Sequence, residues 1–83
     1  MLSVLPNFIK DKIAWRKEES GDIEVIKDRN VPVWKIADLH NDGYTIEKIA
    51  DSFQNLTEKE VKIALLYYKR YRKRIISQIK ARS

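Results

Sequence analysis

The feature that most constrains this chain is the run from Val31 to Tyr68, in which three helical segments alternate with two short breaks. Val33–Asn41 follows Pro32, whose fixed φ suits the first turn of a helix. Asp42-Gly43 ends that segment, because glycine accepts the left-handed backbone of a helix stop. Thr45 is placed to cap the second segment, Ile46–Phe53, and Glu47 adds a favourable charge near its start. Gln54-Asn55-Leu56 forms the second break. Thr57, with Glu60 three residues on, is a capping box that opens the third segment. Short helices joined by such breaks fit a helix-turn-helix unit, a scaffold often used on nucleic acid.

With 83 residues the chain has room for one small domain that buries a limited fraction of its surface. It has no cysteine, so neither disulfides nor thiolate metal sites supplement the core, and an oligomer is the expected remedy. The lack of cysteine is compatible with a reducing cytoplasm, the expected location. No run is apolar enough to span a membrane, and the opening MLSVLPNFIK lacks the basic start and apolar stretch of a signal peptide. The net charge of +5 is unevenly spread. Residues 1–30 hold six basic and six acidic side chains, residues 31–56 two and four, and residues 57–83 nine and two. Nucleic acid, an acidic protein surface and anionic lipid each account for such a basic block. So does a solvated helix end that complements its own dipole.

Residues 1–11 read either as an arm or as holding one helical turn, Phe8–Asp11. Ile13 and Trp15, then Ile23 and Val25, lie two apart, which is strand periodicity. Glu19-Ser20-Gly21-Asp22 between them reads as a turn. The expectation is a hairpin of Lys12–Lys17 with Ile23–Lys27, which must pack on the helices or pair with another chain. Lys27-Asp28-Arg29-Asn30 then turns the chain into Val31-Pro32. Core candidates by helical spacing are Trp34, Ile36 and Leu39, then Ile46, Ile49, Ala50 and Phe53, with Leu56 plugging the second break.

The final segment, Glu58 to Ala81, reads as one helix of on the order of 35 Å. Val61, Leu65 and Tyr68 share one face while Ile63, Leu66 and Tyr67 point elsewhere, so the first half is apolar nearly all round and expected to be buried all round. Ile75 and Ile79 continue the stripe beyond it. One small domain does not easily cover both faces, which points to a homodimer with Ile63, Leu66, Tyr67, Ile75 and Ile79 at the interface. Lys62, Lys69, Lys73 and Lys80 line up a third of a turn away, with Arg70 and Arg74 beside them.

The run Val25-Ile26, Val31-Pro32-Val33, Ile36, Leu39, Gly43-Tyr44-Thr45, Glu47, Ile49, Phe53, Leu56-Thr57, Val61, Ala64-Leu65 and Tyr67-Tyr68 resembles the domain-of-unknown-function family 433, over roughly residues 13–70. Where that family usually has Gly-Thr-Arg before its Ile/Val-Pro-Val step, this chain has Asp28-Arg29-Asn30. The resemblance implies a small prokaryotic protein of mainly α class. Its three-helix, homeodomain-like helix-turn-helix core would carry a short N-terminal β-hairpin and a long C-terminal helix. The expected organisation is an arm (1–11), a hairpin plus helix-turn-helix domain (12–70) and a basic extension of the last helix (71–83). Several members resemble VapB-type antitoxins encoded beside PIN-like ribonuclease toxins. The resemblance thus implies a binding protein that contacts DNA for autoregulation and neutralises such a toxin.

Enzymatic chemistry has little support in the residues. His40 is the only histidine, there is no cysteine, and no glycine-rich phosphate loop occurs. No catalytic, metal or cofactor site is expected. His40 reads as structural or solvent-facing, since a metal needs several convergent ligands. Asp38, Asp42, Glu47 and Asp51 read as solvated helix surface, and Trp15 and Trp34 as core or interface anchors. For DNA, the start of the third helix offers two carboxylates, Glu58 and Glu60, which makes base readout from it difficult. Backbone contact by Lys69, Arg70, Arg72, Lys73 and Arg74 is easier to defend, because point charges track phosphates without reading sequence. Arg16, Lys17, Lys27 and Arg29 offer a second, ribbon-like route. For a toxin, the basic stretch Tyr71–Ser83 suits the acidic site of a PIN-type nuclease. The competing class is a dimeric protein-interaction module without a nucleic-acid role; a membrane-surface helix ranks last.

Overall fold

The computed structural model describes residues 5–19 and 21–82. The described residues are mostly helical, with a small antiparallel sheet. In chain order they form α1 (Asn7–Lys10), β1 (Ile13–Arg16), β2 (Ile23–Ile26), β3 (Val31–Pro32), α2 (Val33–Asn41), α3 (Ile46–Asp51), α4 (Glu58–Arg70) and α5 (Arg72–Arg82).

Strand periodicity predicts β1 and β2, and they pair antiparallel with Ile13 opposite Ile26 and Trp15 opposite Glu24. Ser20, in the expected turn between them, lies outside the described residues. The next turn holds the departure from the family pattern. Asp28 and Asn30 both adopt positive φ, 67° and 58°, a conformation that aspartate and asparagine tolerate better than most residues. That turn folds the chain back so that Val31-Pro32 pairs with Val25 and Ile26. A proline is acceptable there because β3 is an edge strand and needs no outward N–H. The sequence reading had no third strand. All four residues of β2 are buried, so the central strand is covered on both faces.

The helix ends follow local chemistry. At the end of α2 the Gly43 N–H bonds the His40 carbonyl at 3.0 Å and the Tyr44 N–H reaches Leu39 at 3.1 Å, with Gly43 at φ 96°. This paired arrangement is a Schellman stop. The Thr45 hydroxyl accepts from the Lys48 N–H at 3.1 Å to start α3. That helix stops at Asp51, two residues earlier than expected. The capping box is complete: Glu60 N–H donates to the Thr57 hydroxyl and Thr57 N–H to the Glu60 carboxylate, both at 3.1 Å.

The expected single long helix is instead two. Tyr71 breaks it at φ −121°, ψ 47°, and α5 turns back onto the domain. The cause is burial rather than a breaker residue. Folding back sinks Ile75 to full burial in the main apolar cluster, which also holds Ile36, Val61 and Ile63. It also packs Ile76 and Ile79 against that cluster. A straight helix would leave these isoleucines in water, at about 1.5–3 kcal/mol for each one fully buried. Both α5 and α1 thus contribute to the same core, α1 through Ile9.

The helix-based reason for expecting a second chain falls with the straight helix. Ile63, Tyr67 and Ile75 are 3%, 6% and 0% exposed within one chain. Ile79 is half-buried against the same core. Of the five residues assigned to a dimer interface, Leu66 alone stays open, at 44%.

Candidate functional site

Two groupings of polar side chains decide which charges are left for a partner. The first surrounds Glu24, whose carboxylate is wholly buried on β2. It accepts from the Tyr67 hydroxyl on α4. On α5 it accepts from Arg74 Nε at 2.7 Å and Gln78 Nε2 at 2.9 Å. Burial alone would push the carboxyl up, but hydrogen bonds from Gln78, Tyr67 and Arg74 outweigh it and hold Glu24 below the ordinary carboxylate value. Burial, then the bond to Glu24 and its charge, pushes the Tyr67 phenol up. Arg74's own bond to Glu24 pushes its guanidinium up. Arg74 also lies 5.0 Å over the ring of Trp15. Arg74 is thus the clasp that holds α5 to the sheet.

The second grouping surrounds Glu60. Arg29 Nε sits 3.1 Å from both of its carboxylate oxygens. Burial raises this carboxyl too; the Thr57 N–H and Arg29 more than offset it and leave Glu60 below the usual value. Arg16 is likewise committed, to Glu18 at 3.0 Å and to Asn30. Of the four ribbon candidates, Arg16 and Arg29 are therefore engaged within the fold, and Lys17 and Lys27 remain exposed. Sequence periodicity had no means of assigning these partners, which come from distant strands and helices.

What remains is concentrated on α4. Lys59, Lys62, Leu66 and Lys69 recur at helical intervals and are all exposed, with Arg70 beside them. The opposite side, including Val61, Ala64 and Tyr68, is buried, and Ile63 closes the edge beside Arg70. Lys59, Lys62, Lys69 and Arg70 enter no ion pair among the described residues. They span about 16 Å along the helix axis. Arg72 and Lys73 continue the exposed cations past the bend, Arg70 lies 5.1 Å over the Tyr71 ring and Arg72 5.7 Å over Tyr68. Of the five phosphate-contact candidates, Lys69, Arg70, Arg72 and Lys73 are thus exposed on either side of the bend, and Arg74 is held by Glu24 instead. Lys59 and Lys62 were not assigned; their spacing with Lys69 was the available signal.

Beside this strip, α4 borders an open groove of about 390 Å³. Ile46, Leu65, Leu66 and Tyr68 give it an apolar floor, and His40, Lys62, Lys69 and Arg72 stand around it. No acidic side chain lines it. His40 is exposed, as are Asp42, Glu47 and Asp51. Trp15 is 56% exposed beneath Arg74, so of the core and interface roles expected for it the core role is the one it does not fill. Trp34 is half-buried, with the Arg82 guanidinium 5.8 Å from its ring. No three His, Asp or Glu side chains converge into a metal-binding group among the described residues. No described helix is long and apolar enough to cross a membrane.

A family model described as a protein of unknown function (DUF433) matches residues 24–68, just over half of the chain. No curated protein and no solved structure matches it. The matched stretch runs from the buried Glu24 to Tyr68, and so takes in β2, β3, α2, α3 and α4 as far as Tyr68, with Lys59 and Lys62 inside it and Lys69 and Arg70 beyond it.

Proposed function

This chain belongs to the DUF433 family of proteins of unknown function, and from that premise we propose that it is a non-catalytic binding protein of the antitoxin type, in which α3 and α4 act as a helix-turn-helix that contacts duplex DNA. The observation that carries the reading is the solvent face of α4. Lys59, Lys62, Lys69 and Arg70 lie along it without ion-pair partners among the described residues, and Arg72 and Lys73 prolong it. A helix reaches phosphates on both sides of a major groove with such a strip. The obstacle seen in the sequence is also reduced. Glu60 points inward to Arg29 and Thr57, leaving Glu58 as the one acidic side chain at the exposed start of α4. Holding a PIN-like toxin is the companion role that the family resemblance adds.

The test is duplex binding followed by fluorescence anisotropy across a salt series. With roughly five phosphate contacts, the log–log slope is expected near −4. The Lys62→Glu/Lys69→Glu double variant should lose tenfold or more in affinity and flatten the slope, while Lys17→Glu/Lys27→Glu should not. No binding at low salt would overturn the reading in favour of a protein-interaction module. The open Leu66, set among cations, is the observation that favours that second reading.

A further inference from the structure

We propose that the groove between α4 and the α2–α3 junction is a docking site for an acidic amphipathic helix of a partner protein. Its two components require two different properties of one ligand. The floor of Ile46, Leu65, Leu66 and Tyr68 is apolar and gains free energy only by covering carbon. Leu66, 44% exposed at the centre of α4, is the side chain with most to gain. The rim carries Lys62, Lys69 and Arg72 with no acidic residue among the lining side chains, so its ligand is anionic.

Nucleic acid satisfies the rim and leaves the floor unused. A second copy of this chain satisfies the floor and violates the rim. With two α4 helices crossing antiparallel at Leu66, Lys62 of one lies against Lys69 of the other partner-related turn, and like charges meet on both sides of the contact. An amphipathic helix with leucines at i, i+3 or i+4 and i+7, and carboxylates on its flanks, satisfies both. The groove's volume, about 390 Å³, accommodates two or three such side chains rather than a whole folded surface. Lys62 and Lys69 belong to the DNA strip as well. Granting the DNA reading, the peptide and the duplex therefore exclude each other, and a partner bearing such a helix would release the protein from DNA.

The probe is a synthetic, dye-labelled helical peptide of glutamates with leucines spaced four and three apart, titrated by anisotropy. Two controls replace its leucines by serine and its glutamates by lysine. The acidic leucine peptide is expected to bind at least tenfold more tightly than either control. Leu66→Glu, at an exposed position that leaves the circular dichroism spectrum unchanged, and Lys62→Glu/Lys69→Glu should each remove that preference. Equal binding of the serine peptide would show that charge alone is read, and would overturn the proposal. So would indifference to Leu66→Glu, or a dimer in sedimentation that Leu66→Glu dissociates, since the occupant would then be a second copy. Peptide binding that leaves a bound duplex in place would uphold the groove and move the DNA off α4.

Discussion

Replacing Glu24 by alanine should unfold the C-terminal helix from the domain before any other single polar substitution does. The carboxylate is fully buried and accepts three side-chain hydrogen bonds, from Tyr67, Arg74 and Gln78. Its removal strands the buried Tyr67 hydroxyl and the Gln78 amide, at about 1–3 kcal/mol for each unsatisfied group. The Arg74 side chain is 45% exposed and regains water, so its loss of a partner adds less than the 3–5 kcal/mol typical of breaking a wholly buried pair. The expected total is about 3–4 kcal/mol, against roughly 4–12 kcal/mol for a folded domain of this length. Urea unfolding followed by far-ultraviolet circular dichroism measures it, and Tm should fall by on the order of 15 °C. Arg74→Ala should also destabilise, because it leaves the carboxylate buried with only neutral donors. The double variant should cost clearly less than the two single changes added together. A loss below about 1 kcal/mol for Glu24→Ala, or full additivity with Arg74→Ala, would refute the idea that this carboxylate clasps α5.

The remaining predictions concern pH, the helix cap and the inward face of α4. Glu24 and Glu60 are held below the ordinary carboxylate value of 4.5 in the folded state. Their contribution is thus fully present above that value and is lost as pH falls through their folded values. Tyr67 is raised above the ordinary phenol value of 10.0, so its contribution is present below pH 10.0 and fades as pH rises past it. Urea midpoints measured across pH should therefore fall at both extremes, and Glu24→Gln should weaken the acid limb. Thr57→Ala removes one half of the capping box and should cost about 1 kcal/mol, read from the same unfolding curves. Ile63→Glu, at a 3% exposed position, should abolish cooperative unfolding; a folded Ile63→Glu protein would mean that this side of α4 faces water.

What could be read from the chain was what its neighbours in sequence determine. Val33–Asn41, the Gly43 stop and the Thr57–Glu60 box are set by side chains within a turn of the backbone they cap, and they appear as expected. The break at Tyr71 was not legible. No glycine or proline marks it, and what enforces it includes a carboxylate 50 residues away from Arg74. Glu24 itself was hidden for a related reason. Ile23 and Val25 indicate one buried face of a strand, and nothing local says that a helix from the far end of the chain buries the other. The same blindness inflated the basic site: Arg16, Arg29 and Arg74 count as cations in the sequence but are neutralised by Glu18, Glu60 and Glu24 in the fold. Straightening the last helix on paper also drew Lys69, Lys73 and Lys80 into one straight row, whereas Lys73 and Lys80 lie beyond the bend at Tyr71. Where the family's glycine is missing, Asp28 and Asn30 supply the left-handed backbone instead.

The exposed face of α4 is the surface on which DNA contact is proposed. The most direct measurement is a titration of duplex DNA into isotope-labelled protein, followed by amide and lysine-methylene chemical shifts. The prediction is that the largest changes fall on Lys59, Lys62, Leu66, Lys69 and Arg70, with β1 and the turn at Lys27 unmoved. Shifts centred on Lys17 and Lys27, or spread evenly over all exposed lysines, would contradict it.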